Sequence, residues 1–389
     1  MKRHRPLCRQ SPRLLRIAHL AESLADSASW LEKSFWERQL LTLCQRTLAE
    51  GDEKSLEGAI ERLYKSSGVA YEALLDTIEA ACETRFALED KKHLYDAQLF
   101  AMPVMVWSRF SLPTCRIPGD ILTALHRALG EQIMAPDTRY SIADSLLSSE
   151  QMPGNYVGTY ALCGKILHDF LAGQTSCLVS HDHLDENTSF LADARYLIGI
   201  VTAKTGSPLF RWQTEGLMRE SVQSQWDSVA TDIMRPVLLT CASQWLLPSP
   251  FHSALRQTDA AIRQYALNAA LAWLGTTINI EASAITVIIA PFYDIELLEY
   301  RISFILPTSP RVAHGCVWQL TEYEDEQTDV PRQIERTLRD NGATRIKVLE
   351  EHFRMEYCYD CGSPLFVDGE GELVHAEFPE EYAYPIRPH

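Results

Sequence analysis

The residues whose types and spacing could do chemistry lie near the carboxyl end, in EYCYDCGSPLF, residues 356–366. Cys358 and Cys361 form the only Cys-x-x-Cys of the chain, and Gly362 follows them directly. A glycine can adopt the positive φ that lets nearby amides point at sulfur, so two thiolates can share one tight bend. The segment therefore resembles one knuckle of a zinc ribbon, which is half of a four-ligand site.

The second half of such a site has no counterpart in the sequence, so other ligands are needed. His375, in ELVHAE, is the best third ligand because it follows the knuckle closely. Alternatively, two chains could each donate their Cys358 and Cys361 thiolates to one shared site. The candidate fourth ligands are His352, Cys316, His314 and His389. We predict a metal site of Cys358, Cys361 and His375, with zinc as the candidate cofactor.

Two other interpretations of the knuckle stay open, a metal-free structural turn and a redox-active dithiol. An active dithiol usually opens a helix that lowers the pKa of its first thiol. Ser363 and Pro364 instead continue as a turn into a strand, which disfavours the redox interpretation. The metal-free turn remains a direct competitor of the metal site.

A second cluster, SHDHLDEN at residues 180–187, carries nitrogen and oxygen ligands that a divalent ion could use. Those side chains are His181, Asp182, His183, Asp185 and Glu186. We favour a polar linker there, with Asp185 or Asn187 capping the next element. A third group, Tyr293, Asp294 and Glu296, follows a predicted strand and is typical of ordinary strand ends.

Short motifs that assign a reaction class do not occur in the sequence. It has no phosphate-binding Gly-Lys-Ser or Gly-Lys-Thr loop, no Gly-x-Gly-x-x-Gly, no Gly-x-Ser-x-Gly and no His-Glu-x-x-His. Catalytic residues therefore stay unknown. The sequence does not decide whether the protein is an enzyme, and we favour a non-enzymatic protein.

Charge is distributed very unevenly along the chain. The net charge is -16, but the first sixteen residues carry +6 and no acidic residue, so the rest of the chain carries -22. A basic arm at residues 2–16 could contact nucleic acid phosphates weakly, although the acidic body would repel them. The favoured interpretation is an arm that is solvated or folded back on its own acidic surface.

Composition predicts a globular protein of the cytoplasm. Apolar residues make up 46% of the chain and charged residues 23%, which is ordinary globular usage. The ten cysteines show no spacing of a disulfide framework, so a reducing compartment is expected. The longest uncharged apolar run, LFAMPVMVW, is too short for a membrane helix. An organelle transit peptide stays open because the start is rich in arginine.

Apolar periodicity predicts an α+β fold with a helical layer at the amino end. Helical spacing runs from about residue 12 to 90 and predicts about four short helices, with Asp52 and Ser67 as N-caps. Beyond residue 95, short apolar runs alternate with amphipathic helices. Two predicted hairpins, at 195–213 and 299–320, suggest two duplicated ferredoxin-like units of strand, helix, strand, hairpin and helix, with chance similarity as the competing explanation.

These patterns divide the chain into five predicted parts. They are a basic arm at 1–16, a helical region at 17–94, a first α+β unit at 95–235, a second at 236–355, and the Cys-x-x-Cys knuckle with an acidic tail at 356–389.

Several stretches read together resemble a known bacterial family. They are MKRHRP at the start, then PLFRWQ, APFYD, HGCVWQL, and EYCYDCGSPLF with GELVHAE. The chain resembles, over nearly its whole length, a beta-proteobacterial family described only as a domain of unknown function. The resemblance implies a bacterial cytoplasmic protein and assigns neither an activity nor a catalytic residue.

Two functions of different classes follow from the sequence. The first is a non-enzymatic interaction or regulatory protein that binds a protein partner and uses the knuckle as a structural element. The second is a metal-dependent hydrolase or other metalloenzyme with a Cys/His site, which would need an open coordination position. Because half of the ribbon is missing, a homodimer is also considered, and no membrane contact is expected.

Overall fold

The structure, a computed structural model, describes residues 11–90, 93–108, 116–178, 191–214, 216–239, 241–321 and 324–379. Within them the chain is a mixed α+β protein, as predicted. The helices are α1 Pro12–Ala25, α2 Trp30–Ala49, α3 Glu53–Tyr64, α4 Gly68–Glu83, α5 Gly119–Gln132, α6 Tyr156–Leu171, α7 Arg219–Met234, α8 Phe251–Ile278 and α9 Val330–Asp340. The strands are β1 Thr84–Asp90, β2 His93–Ser108, β3 Arg139–Ser148, β4 Leu191–Lys204, β5 Ala242–Trp245, β6 Ser249–Pro250, β7 Thr286–Tyr293, β8 Leu297–Ile305, β9 Val312–Gln319, β10 Arg345–Val348, β11 Phe353–Arg354, β12 Phe366–Val367 and β13 Leu373–Val374.

Helices α1 to α4 form the predicted helical layer around their own apolar core. Each begins at a polar N-cap whose side chain accepts an amide hydrogen bond, which satisfies one of the free N–H groups of a helix start. The caps are Ser11, Ser29, Asp52 and Ser67. The prediction of Asp52 and Ser67 as caps is confirmed.

The first sheet has the order β1-β2-β4-β3, and β5 and β6 pair with the same edge of β2 as β1. All of its pairings are antiparallel. One face packs on α5 and α7, and the other packs on α6 and the start of α8. Strand β2 is buried through its centre because helices cover both faces, which explains its uninterrupted apolar run.

The predicted hairpin at 195–213 is wrong. The structure has one long strand, β4, which pairs with β2 over its whole length, and then a turn at Gly206 and a short 3-10 helix at Arg211–Gln213. The strand predicted from Pro236 is confirmed only at Ala242–Trp245, because residues 236–239 form turns. Strand β1, which the helical spacing concealed, was not predicted.

The second sheet has the order β10-β7-β8-β9, and β10 and β11 run parallel to β7. Its hairpin of β8 and β9 was predicted correctly. In the first sheet a crossover through α5 separates β2 from β3, whereas β7, β8 and β9 are consecutive neighbours here. The two strand orders differ, so the structure does not confirm the predicted duplication.

Helix α8 connects the two sheets. Its first turns pack on the first sheet through Phe251 and Ala254, and its last turns pack on the second through Leu267, Leu271 and Leu274. Its 28 residues correspond to about 42 Å of helix. No helix of the described part is long and apolar enough to cross a membrane. The five predicted domain boundaries stay predictions.

Candidate metal centre

The knuckle is a tight turn closed by backbone hydrogen bonds. Tyr357 and Pro364 pair as an antiparallel bridge, and the amide of Cys358 donates to the carbonyl of Ser363 at 2.7 Å. The amide of Gly362 donates to the carbonyl of Cys358 at 2.9 Å. Gly362 has φ of +71°, which explains why glycine follows the second cysteine. These contacts hold the two thiols on one face of the turn.

A short hairpin brings the third candidate ligand back to this turn. Strands β12 and β13 pair antiparallel, and His375 directly follows β13. The Asp368 carboxylate accepts hydrogen bonds from the amides of Glu370 and Glu372, and Gly371 has φ of +94°. Local turn chemistry therefore places residue 375 beside residue 361.

The ligand atoms of Cys358, Cys361 and His375 all lie within 4.8 Å of one another. Nε2 of His375 is 3.2 Å from Sγ of Cys361. Around tetrahedral zinc, with Zn–S near 2.3 Å and Zn–N near 2.0 Å, ligand atoms are about 3.3–3.8 Å apart. The three predicted residues fit a metal ion after small side-chain adjustments. Within the described part of the chain, no fourth His, Cys, Asp or Glu completes the group.

The local hydrogen bonds favour the thiolate that a metal requires. The Ser363 hydroxyl, the Ser363 amide and His375 together lower the pKa of Cys361 to about 6. Nδ1 of His375 is buried and has no hydrogen-bond partner among the described residues. The His375 imidazole therefore has no competing hydrogen bond at Nδ1, and the side chains of Cys361 and His375 are both available to coordinate a metal.

The chain matches the model of the protein family described as "Protein of unknown function (DUF2863)" over residues 1–387. The chain belongs to this family. No curated protein and no solved structure matches the chain. The predicted resemblance to a family of unknown function over nearly the whole chain is confirmed. Membership in the DUF2863 family assigns no activity.

The knuckle is fixed to the second sheet by Arg301 on β8, which is fully buried. Its Nη1 donates to the carbonyls of Glu356 and Leu365, at 2.7 and 2.6 Å, on the two sides of the turn. Its Nε donates to Glu299 at 2.6 Å, which neutralises the buried charge. The role of Arg301 was not predicted, although an arginine inside the apolar strand EYRISFIL is unusual and could have indicated it.

The other sequence candidates do not join the metal group. Cys316 is buried and His314 is half-buried on β9, where His314 contacts Trp273, and the ring of His352 stacks on Tyr293 at 4.2 Å. Asp294 and Glu296 lie in the turn between β7 and β8. His181, His183, Asp182, Asp185, Glu186 and His389 lie outside the described residues.

A second cysteine–histidine pair, which sequence analysis did not find, lies where α4 meets α8. Sγ of Cys82 is 3.3 Å from Nε2 of His252, and the His252 amide donates to the Glu83 carboxylate at 3.1 Å. Burial raises the pKa of the Cys82 thiol and lowers that of His252. We call Cys82, Glu83 and His252 the buried junction.

A cleft of about 1370 Å³ opens between the helical layer, α8 and the second sheet. Helices α3 and α4 form one wall, and the end of β9 forms part of another. Tyr357 and Pro364 of the knuckle border it, so the candidate metal centre stands at its rim.

Proposed function

We propose that the chain is a non-enzymatic interaction or regulatory protein whose carboxyl-terminal knuckle is held by one zinc ion. Cys358, Cys361 and His375 are its ligands. The observation that carries the proposal is the convergence of these three ligand atoms within 4.8 Å. Two thiolates and an imidazole form a soft donor set that suits zinc better than magnesium or calcium.

A structural role is supported by how little apolar surface the knuckle buries. In the segment from Glu356 to Phe378, only Phe366 and Val367 are buried apolar residues. Such a small unit gains stability from a metal because ligand binding is coupled to its folding. The missing catalytic motifs in the sequence agree with this role.

A metalloenzyme is the second candidate because the three ligands leave a fourth position open. Cys361 is exposed, and the base of the knuckle borders the cleft through Tyr357 and Pro364. Catalytic zinc sites keep three protein ligands and one exchangeable position. A structural site instead requires a fourth fixed ligand, which a second copy of the chain would supply in a homodimer.

We also propose that the first sheet is a ferredoxin-like unit and that the protein is cytoplasmic. The sheet contains four adjacent antiparallel strands in the order β5-β2-β4-β3, and α5 and α7 together cover one face of it. The eight described cysteines are all free, which supports a reducing compartment.

Elemental analysis of the purified protein tests the metal site. We expect about one zinc per chain if each chain holds its own ion, with or without a fourth ligand from a second copy, and about half a zinc per chain if two chains each donate the Cys358 and Cys361 thiolates to one ion. The Cys358→Ser, Cys361→Ser variant should contain none, whereas the matched Cys177→Ser, Cys241→Ser variant should keep it. Absence of zinc from the wild type, or its persistence in the first variant, contradicts the proposal.

Cobalt substitution separates the structural role from the catalytic one. Co²⁺ bound by thiolates absorbs in the visible and near-ultraviolet, and those bands respond to a change of ligand. A spectrum that azide does not alter supports a closed structural site. A shift on adding azide reveals an open position and favours the metalloenzyme.

A further inference from the structure

The cleft between the helical layer and the second sheet has an excess of acidic side chains. Two cationic residues line it, Arg256 and Arg263. The acidic residues that line it are Glu57, Glu61, Glu79, Asp259, Glu299 and Glu324. A cavity with low-dielectric walls and one dominant sign of charge concentrates ligands of the opposite sign.

Both arginines are already used in ion pairs with cleft carboxylates. Arg256 forms a bidentate pair with Glu79, and Arg263 pairs with Glu324 at 2.6 Å. Neither Glu57 nor Asp259 forms an ion pair with another described residue. Desolvation raises the pKa of Asp259 above its ordinary value. Glu61 pairs with Lys65, and Glu299 pairs with Arg301, two cations outside the cleft lining, so the unneutralised negative charge of the cleft rests on Glu57 and Asp259.

Aromatic rings accompany the acids in the cleft. Tyr64 and Tyr71 project from α3 and α4, Tyr156 lies at the start of α6, and Tyr357 lies at the knuckle. Tyrosine faces attract arginine and lysine side chains, with arginine preferred. Acidic groups interleaved with tyrosines suit a ligand that carries several guanidinium or ammonium groups.

The volume favours an extended chain over a single small molecule. Small-molecule pockets are usually about 300–1,000 Å³, and this cleft is larger. We propose that the cleft is the docking site of a basic peptide segment, and that this segment is the chain's own residues 1–10. That stretch, MKRHRPLCRQ, carries four positive side chains and no acidic one.

The start of the described chain lies next to the cleft wall. The Ser11 hydroxyl is 3.4 Å from that of Ser55 on α3, and Arg13 pairs with Asp52 at 2.8 Å. Leu14 contacts Gly58, the residue that follows Glu57 of the cleft. Ten extended residues span up to about 33–36 Å, whereas α3 from Ser55 to Tyr64 rises only about 14 Å. The segment can therefore reach the whole α3 side of the cleft.

Tethering gives the segment an advantage over a free peptide of the same sequence. Its effective concentration near the cleft is on the order of millimolar for a short flexible connection. If the segment binds with a Kd of about 0.1 mM, the tethered copy occupies the site about ten times as often as the site is empty. A free peptide then competes with that tethered copy and binds about tenfold more weakly. The proposal does not depend on whether the knuckle holds zinc.

Competition with a labelled peptide tests the proposal. The probe is a fluorescein-labelled peptide of residues 1–10 carrying Cys8→Ser, and fluorescence anisotropy at low salt reports its binding. A full-length chain with Lys2→Gln, Arg3→Gln, Arg5→Gln and Arg9→Gln has a neutral segment and should bind the probe about tenfold more tightly than the wild type. Adding Glu57→Gln and Asp259→Asn to that chain should weaken binding about tenfold. The matched control adds Glu220→Gln and Asp232→Asn, two acids outside the cleft, and should leave binding unchanged.

Trypsin cleavage gives a second readout on the intact chain. Cleavage after Arg9, followed by mass spectrometry, should be about tenfold faster in the Glu57→Gln, Asp259→Asn variant than in the wild type or the control. Equal probe affinity for the wild type and the neutral-segment chain would show that this segment is not the occupant. Binding that the control acids weaken as much as the cleft acids would show that the cleft is not the site. Failure of every chain to bind the probe also overturns the proposal.

Discussion

Cys361 lies 3.2 Å from Nε2 of His375 at the knuckle, and Cys82 lies 3.3 Å from Nε2 of His252 in the buried junction. The two cysteine–histidine pairs have nearly the same separation, but the pKa values of their thiols are shifted in opposite directions. At the knuckle, hydrogen bonds from Ser363 and His375 lower the pKa of an exposed thiol to about 6. At the junction, desolvation raises the pKa of a fully buried thiol. Exposure and hydrogen-bond donors, and not the pair itself, decide whether a thiolate forms.

The comparison also explains which pair can bind a metal. The knuckle adds Cys358 as a second thiol, and its ligands come from a turn and a hairpin end that can adjust. The junction adds Glu83, whose carboxylate already accepts the His252 amide. Cys82 on α4 lies in a packed core, where burial opposes thiolate formation, and His252 is half-buried at the start of α8.

Thiol alkylation should show the largest difference between the two regions. In protein freed of metal, we expect iodoacetamide to modify Cys361 at least about a hundredfold faster than Cys82 at pH 7, because one thiol is ionised and exposed and the other is neutral and buried. Peptide mass spectrometry measures both sites in one sample. Similar rates in the folded protein would contradict the contrast, and urea should make the two rates converge.

The proximity of the three candidate ligands could be predicted from the sequence because its determinants are local. Cys358, Cys361 and His375 lie within eighteen consecutive residues, and the turns at Gly362 and Asp368 are formed by hydrogen bonds within that segment. Helix α6 has equally local determinants, because the Asn155 side chain that caps it directly precedes its first residue.

The buried junction could not be predicted in the same way. Cys82 and His252 are 170 residues apart, and they meet only because the start of α8 lies beside the end of α4. Arg301 similarly meets Glu356 and Leu365 from a distant strand. The false hairpin at 195–213 has a related cause. The segment at 209–211, predicted to pair with the preceding strand, instead bonds to Ile133 and Ala135 just after α5, and Phe210 forms a bridge with Met134.

The pH dependence of stability should distinguish the junction from the knuckle. Burial raises the pKa of Glu83 to about 7 from an ordinary value of 4.5. Between these pH values the folded chain keeps a proton that the unfolded chain has released, so the free energy of unfolding falls as pH rises through this window. The loss should approach about 3 kcal/mol and level off above pH 7.

Urea unfolding at several pH values measures this loss. Using the Cys358→Ser, Cys361→Ser background removes any contribution of metal release. Glu83→Gln should remove the Glu83 part of the slope, and Glu370→Gln in the knuckle hairpin should leave the slope as it is. If Glu83→Gln keeps the same pH dependence, Glu83 is not the group that links stability to pH.

The smallest expected effect comes from removing each imidazole in turn. His252→Ala should lower the free energy of unfolding by about 1–2 kcal/mol, because it leaves a gap beside Tyr156 and Phe251 and removes the partner of Cys82. His375→Ala should change the stability of the metal-free chain by less than about 0.5 kcal/mol, since His375 is a partly exposed loop residue.

Zinc affinity should respond in the opposite order to the same two substitutions. A competition assay with a chromophoric chelator should show a large loss for His375→Ala and no change for His252→Ala. If His375→Ala kept its affinity, His375 would not be a ligand, and if His252→Ala lost zinc as well, the two regions would be coupled. The two histidines thus separate a metal ligand from a packing residue, although each lies about 3.3 Å or less from a cysteine sulfur.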